Sequence, residues 1–194
     1  HILMELAQIL KASGVFLYPL LACSILGLAV AIERVIALCV IKVFPQSLFD
    51  ALIRGDWSGI DPDPKTAGGR ILQFYNEGVT DSDGFKAFAR LEVSRLERGL
   101  FLLDIVVAVA PLLGLLGTVT GLVRVFTGFD GDGTMGATED FGRGISLALS
   151  TTILGLSIAI PALVAGTCLD RRVDVLAARI DAGVERLLET GEES

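Results

Sequence analysis

Four threonines and one aspartate are the groups of this 194-residue sequence best placed to do chemistry in apolar surroundings. Thr118 and Thr120 lie in APLLGLLGTVTGLVRVF, residues 110–126, and Thr151 and Thr152 in GISLALSTTILGLSIAIPALVA, residues 144–165. A hydroxyl there has two uses: to line a narrow polar path for a passing water or ion, or to satisfy its own helix carbonyl four residues back. Asp104 stands just ahead of the first stretch, where a charge is costly and therefore a functional hypothesis by default. On a helix it falls about 21 Å along the axis and about 40° round from Thr118. The alternative for Asp104 is a boundary residue that reaches water. Other chemistries have little behind them. His1 is the only histidine, and Cys23, Cys39 and Cys168 have no metal-ligand spacing, so they read as small buried hydrophobes. GDGTMG lacks the strand, lysine and helix of a nucleotide site. No enzyme activity, cofactor or metal is expected.

The elements that must position these groups are membrane helices. Hydrophobic residues make up 52% of the chain and the mean hydropathy is +0.66. Three segments carry no charge: Ala12 to Ile32, Ile105 to Val123 and Gly144 to Leu169. Each is near or above the ~18–20 residues that cross a ~30 Å hydrocarbon layer as a helix. The first is too long for a signal-peptide core and has no basic cluster before it, so it reads as a retained anchor. Residues 1–3 precede Met4 and are set aside. Arg54, Lys65, Arg70, Lys86, Arg90, Arg95 and Arg98 fall between the first two spans, whereas the connection before Gly142 carries Asp130, Asp132, Glu139 and Asp140 and no basic residue. The positive-inside rule makes the longer connection cytoplasmic, the acidic one external and the N-terminus external. Arg171, Arg172, Arg179 and Arg186 place the C-terminus inside.

The chain divides into an N-terminal segment and first span (1–43), a cytoplasmic helical region (44–99), a second span (100–127), an external loop (128–142), a third span (143–169) and a cytoplasmic C-terminal helix (170–194). Glu33 and Arg34 mark the inner end of the first span. Asp50 to Gly69, with its Gly, Pro and Asp, reads as a loop. A short helix follows from Arg70 to Gly78, and TDSD offers caps for the next. No proline interrupts the pattern from Gly84 to Pro111, so the second span is expected to begin as a long cytoplasmic helix. The third continues inward through Leu169, Val173, Leu176, Ile180, Val184 and Leu187, a stripe at three- and four-residue steps that needs a partner, either the other extension or a copy of the chain. Within the second span Pro111, Gly114, Gly117, Thr118, Gly121 and Val125 share one face. Within the third, Ala148, Thr152, Gly155 and Ala159 do the same. Small faces let helix backbones approach closely in lipid.

LERGLFLLDIVVAVAPLLGLLGTVTGL followed by GISLALSTTILGLSIAIPALVA resembles the MotA/TolQ/ExbB proton-channel family, most closely its ExbB and TolQ branches. The resemblance implies an all-α integral membrane protein of the bacterial inner membrane. It would have three transmembrane helices with long cytoplasmic extensions of the second and third, and would form a homo-oligomeric ring, a pentamer. The implied partners are a dimer of an ExbD/TolR-like single-span protein, a TonB-like protein and the lipid bilayer, with no nucleic acid. The implied function is to transmit the proton-motive force to the cell envelope. Thr118 and Thr152 match threonines expected to face the pore, while Pro111, Gly114, Gly117, Gly121, Gly155 and Pro161 belong to the packing motifs. Arg124 and Arg143 would sit at the pore mouth, where Arg124 has the plainer use of reaching the outer headgroups. Leu147 stands where many members carry a glutamate, so the titrating acid is expected from the partner. A ring that only anchors a partner is the competing reading.

Overall fold

A computed structural model describes residues 13–38, 43–54, 60–77, 82–127 and 136–192. Among these residues a 3-10 turn at Gly14–Phe16 is followed by six α-helices: α1 (Leu17–Ala37), α2 (Gln46–Arg54), α3 (Ala67–Asn76), α4 (Ser82–Glu97), α5 (Leu100–Thr127) and α6 (Gly136–Glu192). Among the described residues there is no strand. Three helical stretches, Gly14–Ala37, Ser82–Thr127 and Phe141–Glu189, contain windows long and apolar enough to cross a membrane. The acidic connection from 128 to 135, Cys39, and Thr80 and Asp81 of the expected cap lie outside the described residues.

The chain forms two compact units. The first joins the residues up to Ala31 with Leu102–Gly166. Its core is one face of each helix: Leu20, Gly27 and Val30 of α1, Leu103, Val106 and Ala110 of α5, and Leu147, Ala148 and Ala159 of α6. Gly27 lets α1 approach α5, since a Cβ there would stand 3.2 Å from Val106 Cγ1. The opposite faces expose Ile25, Leu28, Leu112, Leu116, Leu149, Ile160 and Val164, each at least half exposed. Contiguous apolar surface on that scale is a liability in water and the proper outside of a protein solvated by hydrocarbon or by further helices.

The second unit comprises Ile32–Phe101 and Thr167–Ser194. Here the stripe on α6 finds its cover within the chain: Leu169, Val173, Leu176, Ile180, Val184 and Leu187 are all at most 5% exposed. Gly183 faces Leu52 Cδ1 and Phe44 Cζ, and the Arg179 guanidinium lies over the Phe49 ring. Phe74 of α3 stacks on Phe88 of α4 at 4.3 Å between ring centroids. Glu92 of α4 is fully buried and receives Arg70 of α3 on one carboxylate oxygen and Arg95 of its own helix on the other.

Three expectations about this region change. The segment taken as loop from Asp50 begins inside α2, whose buried Leu48 and Leu52 supply its reason to be a helix. The short helix runs from Ala67 rather than Arg70, because Thr66 caps it by accepting the amide of Gly69 at 2.9 Å. The expected continuous helix ahead of the second span is broken: α4 stops at Glu97 and α5 starts at Leu100. Gly99 between them has φ +95°, which side-chain-bearing residues rarely adopt. Arg34 fills the space a Cβ would enter, with Nε 3.1 Å from that position. Absence of proline was therefore not enough to carry a helix through this point.

Candidate functional site

The small faces of α5 and α6 meet. A Cβ on Gly114 would lie 2.9 Å from the Thr151 carbonyl oxygen and 3.1 Å from Thr152 Cα, and one on Gly155 would lie 2.6 Å from the Ala110 carbonyl oxygen. Gly121 and Gly144 face each other reciprocally, at 2.5 Å and 2.8 Å from the opposite carbonyl oxygen. Backbone meets backbone without intervening side chains, the contact by which helices associate in lipid. The stripe foreseen on α5 is buried at Gly114, Gly117, Gly121 and Val125, with Pro111 and Thr118 half-buried at its margin. Pro161 is exposed on α6.

The four threonines separate into two kinds. Thr118 donates to Leu115 O at 2.6 Å and Thr120 to Leu116 O at 2.9 Å, both within α5, and both residues are half-buried. Thr151 and Thr152 reach across the contact to the same carbonyl, Gly114 O, at 3.3 Å and 3.4 Å. Thr152 remains half-buried, but Thr151 is 0% exposed. Thr151, expected to line the polar path, is thus enclosed by α5, and its hydroxyl serves the helix contact. Spacing along α6 could not reveal this, since 151 and 152 differ only by 100° of rotation.

Asp104 is exposed and stands one position from Leu103, which is 1% exposed, so it lies beside the buried face rather than on it. Arg124 and Arg143 are exposed, on α5 and α6 respectively. Among the described residues no group of three or more His, Cys, Asp or Glu side chains is arranged to hold a metal. Leu147 is 5% exposed, and its Cδ1 is 3.9 Å from the position of a Cβ on Gly14. A glutamate there would be buried, and removing its carboxylate from water carries a cost. Leu147→Glu is accordingly expected to lower the thermal unfolding midpoint of the detergent-solubilised chain well below that of Leu147→Met. Equal midpoints would show that the position opens to a polar space.

These features define a class: a helical membrane protein of three apolar helices, in which the second and third meet through glycine faces that carry hydroxyls. The comparisons with known proteins agree. Residues 76–182 match the model of the MotA/TolQ/ExbB proton channel family, more than half of the chain, and the chain belongs to that family. It is 46% identical over 80 residues to a putative biopolymer transport protein, ExbB-like 1, of Synechocystis, covering 40% of this chain and 32% of that one. It is 38% identical over 96 residues to the biopolymer transport protein ExbB of Helicobacter pylori, covering 48% and 66%. It is 29% identical over 189 residues to the Tol-Pal system protein TolQ of Haemophilus influenzae, covering 81% and 78%. The matched segment thus spans a third of the first relative and just under two thirds of the second. The expected ExbB and TolQ affinity holds, and the chain is a multi-pass membrane protein.

Proposed function

We propose that this chain is the ring-forming subunit of an inner-membrane motor driven by the proton-motive force, working with an ExbD/TolR-like single-span partner and transmitting energy to the cell envelope. It acts as a conductor's wall and not as an enzyme. Its N-terminus faces outward and its C-terminus lies in the cytoplasm, a reading supported by the distribution of basic residues. The observation that carries the reading is the half-buried Thr152 on a glycine-packed hairpin, with both its carbonyl contacts long, at 3.3 Å and 3.4 Å. An O–H···O hydrogen bond is ordinarily 2.5–3.0 Å. A hydroxyl so loosely held inside its own chain is available to a water or ion at the protomer's surface.

In this mechanism the partner's carboxylate supplies the titrating group. Inside a ring of such hairpins it is favoured when protonated and costly when charged. Thr118 and Thr152 give hydrogen bonds to the proton carrier as it passes. Each proton moving down the potential supplies about 2.3 kcal/mol per 100 mV, enough to bias two arrangements of partner and wall by more than tenfold.

The test is proton uptake by vesicles containing this chain with its partner. Thr152→Val removes one hydrogen bond of about 0.5–1.5 kcal/mol and is expected to slow uptake about two- to thirteenfold. Unchanged uptake would leave only a scaffold ring, the reading favoured by Leu147, which offers this subunit no titratable group at that position. Asp104→Asn is expected to reduce uptake more than Glu139→Gln, because Asp104 borders the buried face of α5; equal effects would remove Asp104 from the path.

A further inference from the structure

In the second unit a groove between α4 and α6 has walls of opposite charge. Lys86 and Arg90 stand on the α4 side, Asp181 and Glu185 on the α6 side, and Val93 and Val184 lie between them. Glu97 and Glu189 also line the groove, and Glu189 pairs with Arg186. The enclosed volume is about 640 Å³. Lys86, Arg90, Asp181 and Glu185 are all exposed, and among the described residues no ion pair joins one wall to the other. Cations that face carboxylates across a gap they do not close leave room for a guest carrying both signs.

The flank of α6 opposite this groove carries α2. The Phe49 ring lies against Arg179, with 5.8 Å from its centroid to the guanidinium carbon, and Leu52 lies against Gly183. Arg179 and Asp181 stand about 200° apart round α6, and so do Gly183 and Glu185. The two surfaces also share a level, since α2 touches residues 179–183 and the groove reaches from 177 to 189. With Leu48 and Leu52 buried, α2 turns outward Asp50, Arg54 and Ile53, the last 48% exposed. Asp50 and Arg54 are about one turn, or 6 Å, apart on the same face, and they form no ion pair with each other. We propose that the α4–α6 groove is the seat for α2 of a second copy of this chain, with Asp50 set toward Lys86 and Arg90, Arg54 toward Asp181 and Glu185, and Ile53 against Val93 between them. Surfaces on opposite flanks at one level make a head-to-tail contact, which rotation about an axis along α6 repeats until a ring closes. The inference rests on the reading of the chain as a ring-forming subunit, and it assigns the cytoplasmic contact of that ring.

Cross-linking reads this contact directly. The full chain, with Cys23, Cys39 and Cys168 replaced by alanine, receives Ile53→Cys, Val93→Cys or both, and is oxidised in the membranes of the cells that make it. Both cysteines together are expected to give a ladder of dimer, trimer and larger species on a denaturing gel, while either alone leaves the monomer. The same ladder reports the charges. Arg54→Glu should lower the cross-linked fraction about threefold, the scale of one exposed ion pair. Adding Asp181→Lys and Glu185→Lys to that chain should restore the parent level, a rescue that a merely misfolded Arg54→Glu chain would not give. Absence of the ladder from a chain that still runs as an oligomer in mild detergent overturns the inference and leaves the ring in place. So does an Arg54→Glu loss that the reversed charges fail to restore. A dimer formed by Ile53→Cys alone also overturns it, since the contact would then be two-fold, as does a bond from Val93→Cys to the single-span partner, which would give the groove a different guest. A parent chain that is monomeric in mild detergent overturns the ring itself and the inference with it.

Discussion

Gly117→Val is expected to abolish the native packing of the α5–α6 pair. A Cβ at this position would lie 2.2 Å from Thr151 Oγ1, 2.5 Å from its Cβ and 2.7 Å from its Cγ2. Rotating Thr151 about χ1 exchanges Oγ1 and Cγ2 but leaves its Cβ in place, so no rotamer relieves the clash. The backbones have to part, and parting them also opens the contacts of Gly114, Gly121 and Gly155. Overpacking a well-filled interior costs about 1–3 kcal/mol and occasionally more; a branched side chain facing another branched side chain belongs at the upper end. The measurement is the yield of folded chain in mild detergent and its thermal unfolding midpoint. Gly142→Ala and Gly166→Ala are the controls, because nothing lies within 4 Å of a Cβ at either position. If Gly117→Val unfolds no earlier than these, the glycine face is not where α5 meets α6.

The second large effect belongs to the other unit. Arg70→Met should destabilise it by about 3 kcal/mol, the low end of the range for breaking a buried ion pair from one side, because Arg95 still reaches the stranded carboxylate. Glu92 is 0% exposed, and the Arg70 side chain, 31% exposed, brings it Nε at 3.0 Å as well as a terminal nitrogen. Arg70 also donates to Pro64 O at 3.0 Å, so one guanidinium joins the loop before α3 to α4. Removing both charges is a different matter, since apolar replacement of a whole buried pair is often neutral. The double variant Arg70→Met, Glu92→Met is therefore expected to recover most of the lost stability, read as chemical unfolding midpoints of the three chains. A double variant no better than Arg70→Met would mean that the cost came from lost packing and not from the unpaired charge.

The sequence made the membrane part legible because lipid imposes simple demands. Length and lack of charge marked the three apolar helices, and glycine spacing marked the face by which α5 meets α6. What it could not rank was the neighbours within a face. Thr151 and Thr152 look alike as letters, yet one is enclosed and the other half-open, a difference set by where α5 crosses. Glu92 gave less warning still: its partner Arg70 is twenty-two residues away. The helix α2 was hidden under a loop-like composition, since only nine residues form it and its two buried leucines find their partners elsewhere in the chain.

Gly99 has one more consequence, for changes in chain length. A residue added within the unbroken α6, 57 residues long, turns everything beyond it by about 100°. The same addition beside Gly99 falls between two separate helices, where the screw of α4 need not run on into α5. A residue inserted at this left-handed joint, whether arising by mutation or chosen as the place for a reporter, is therefore expected to disturb the helix faces less than one inserted within α6.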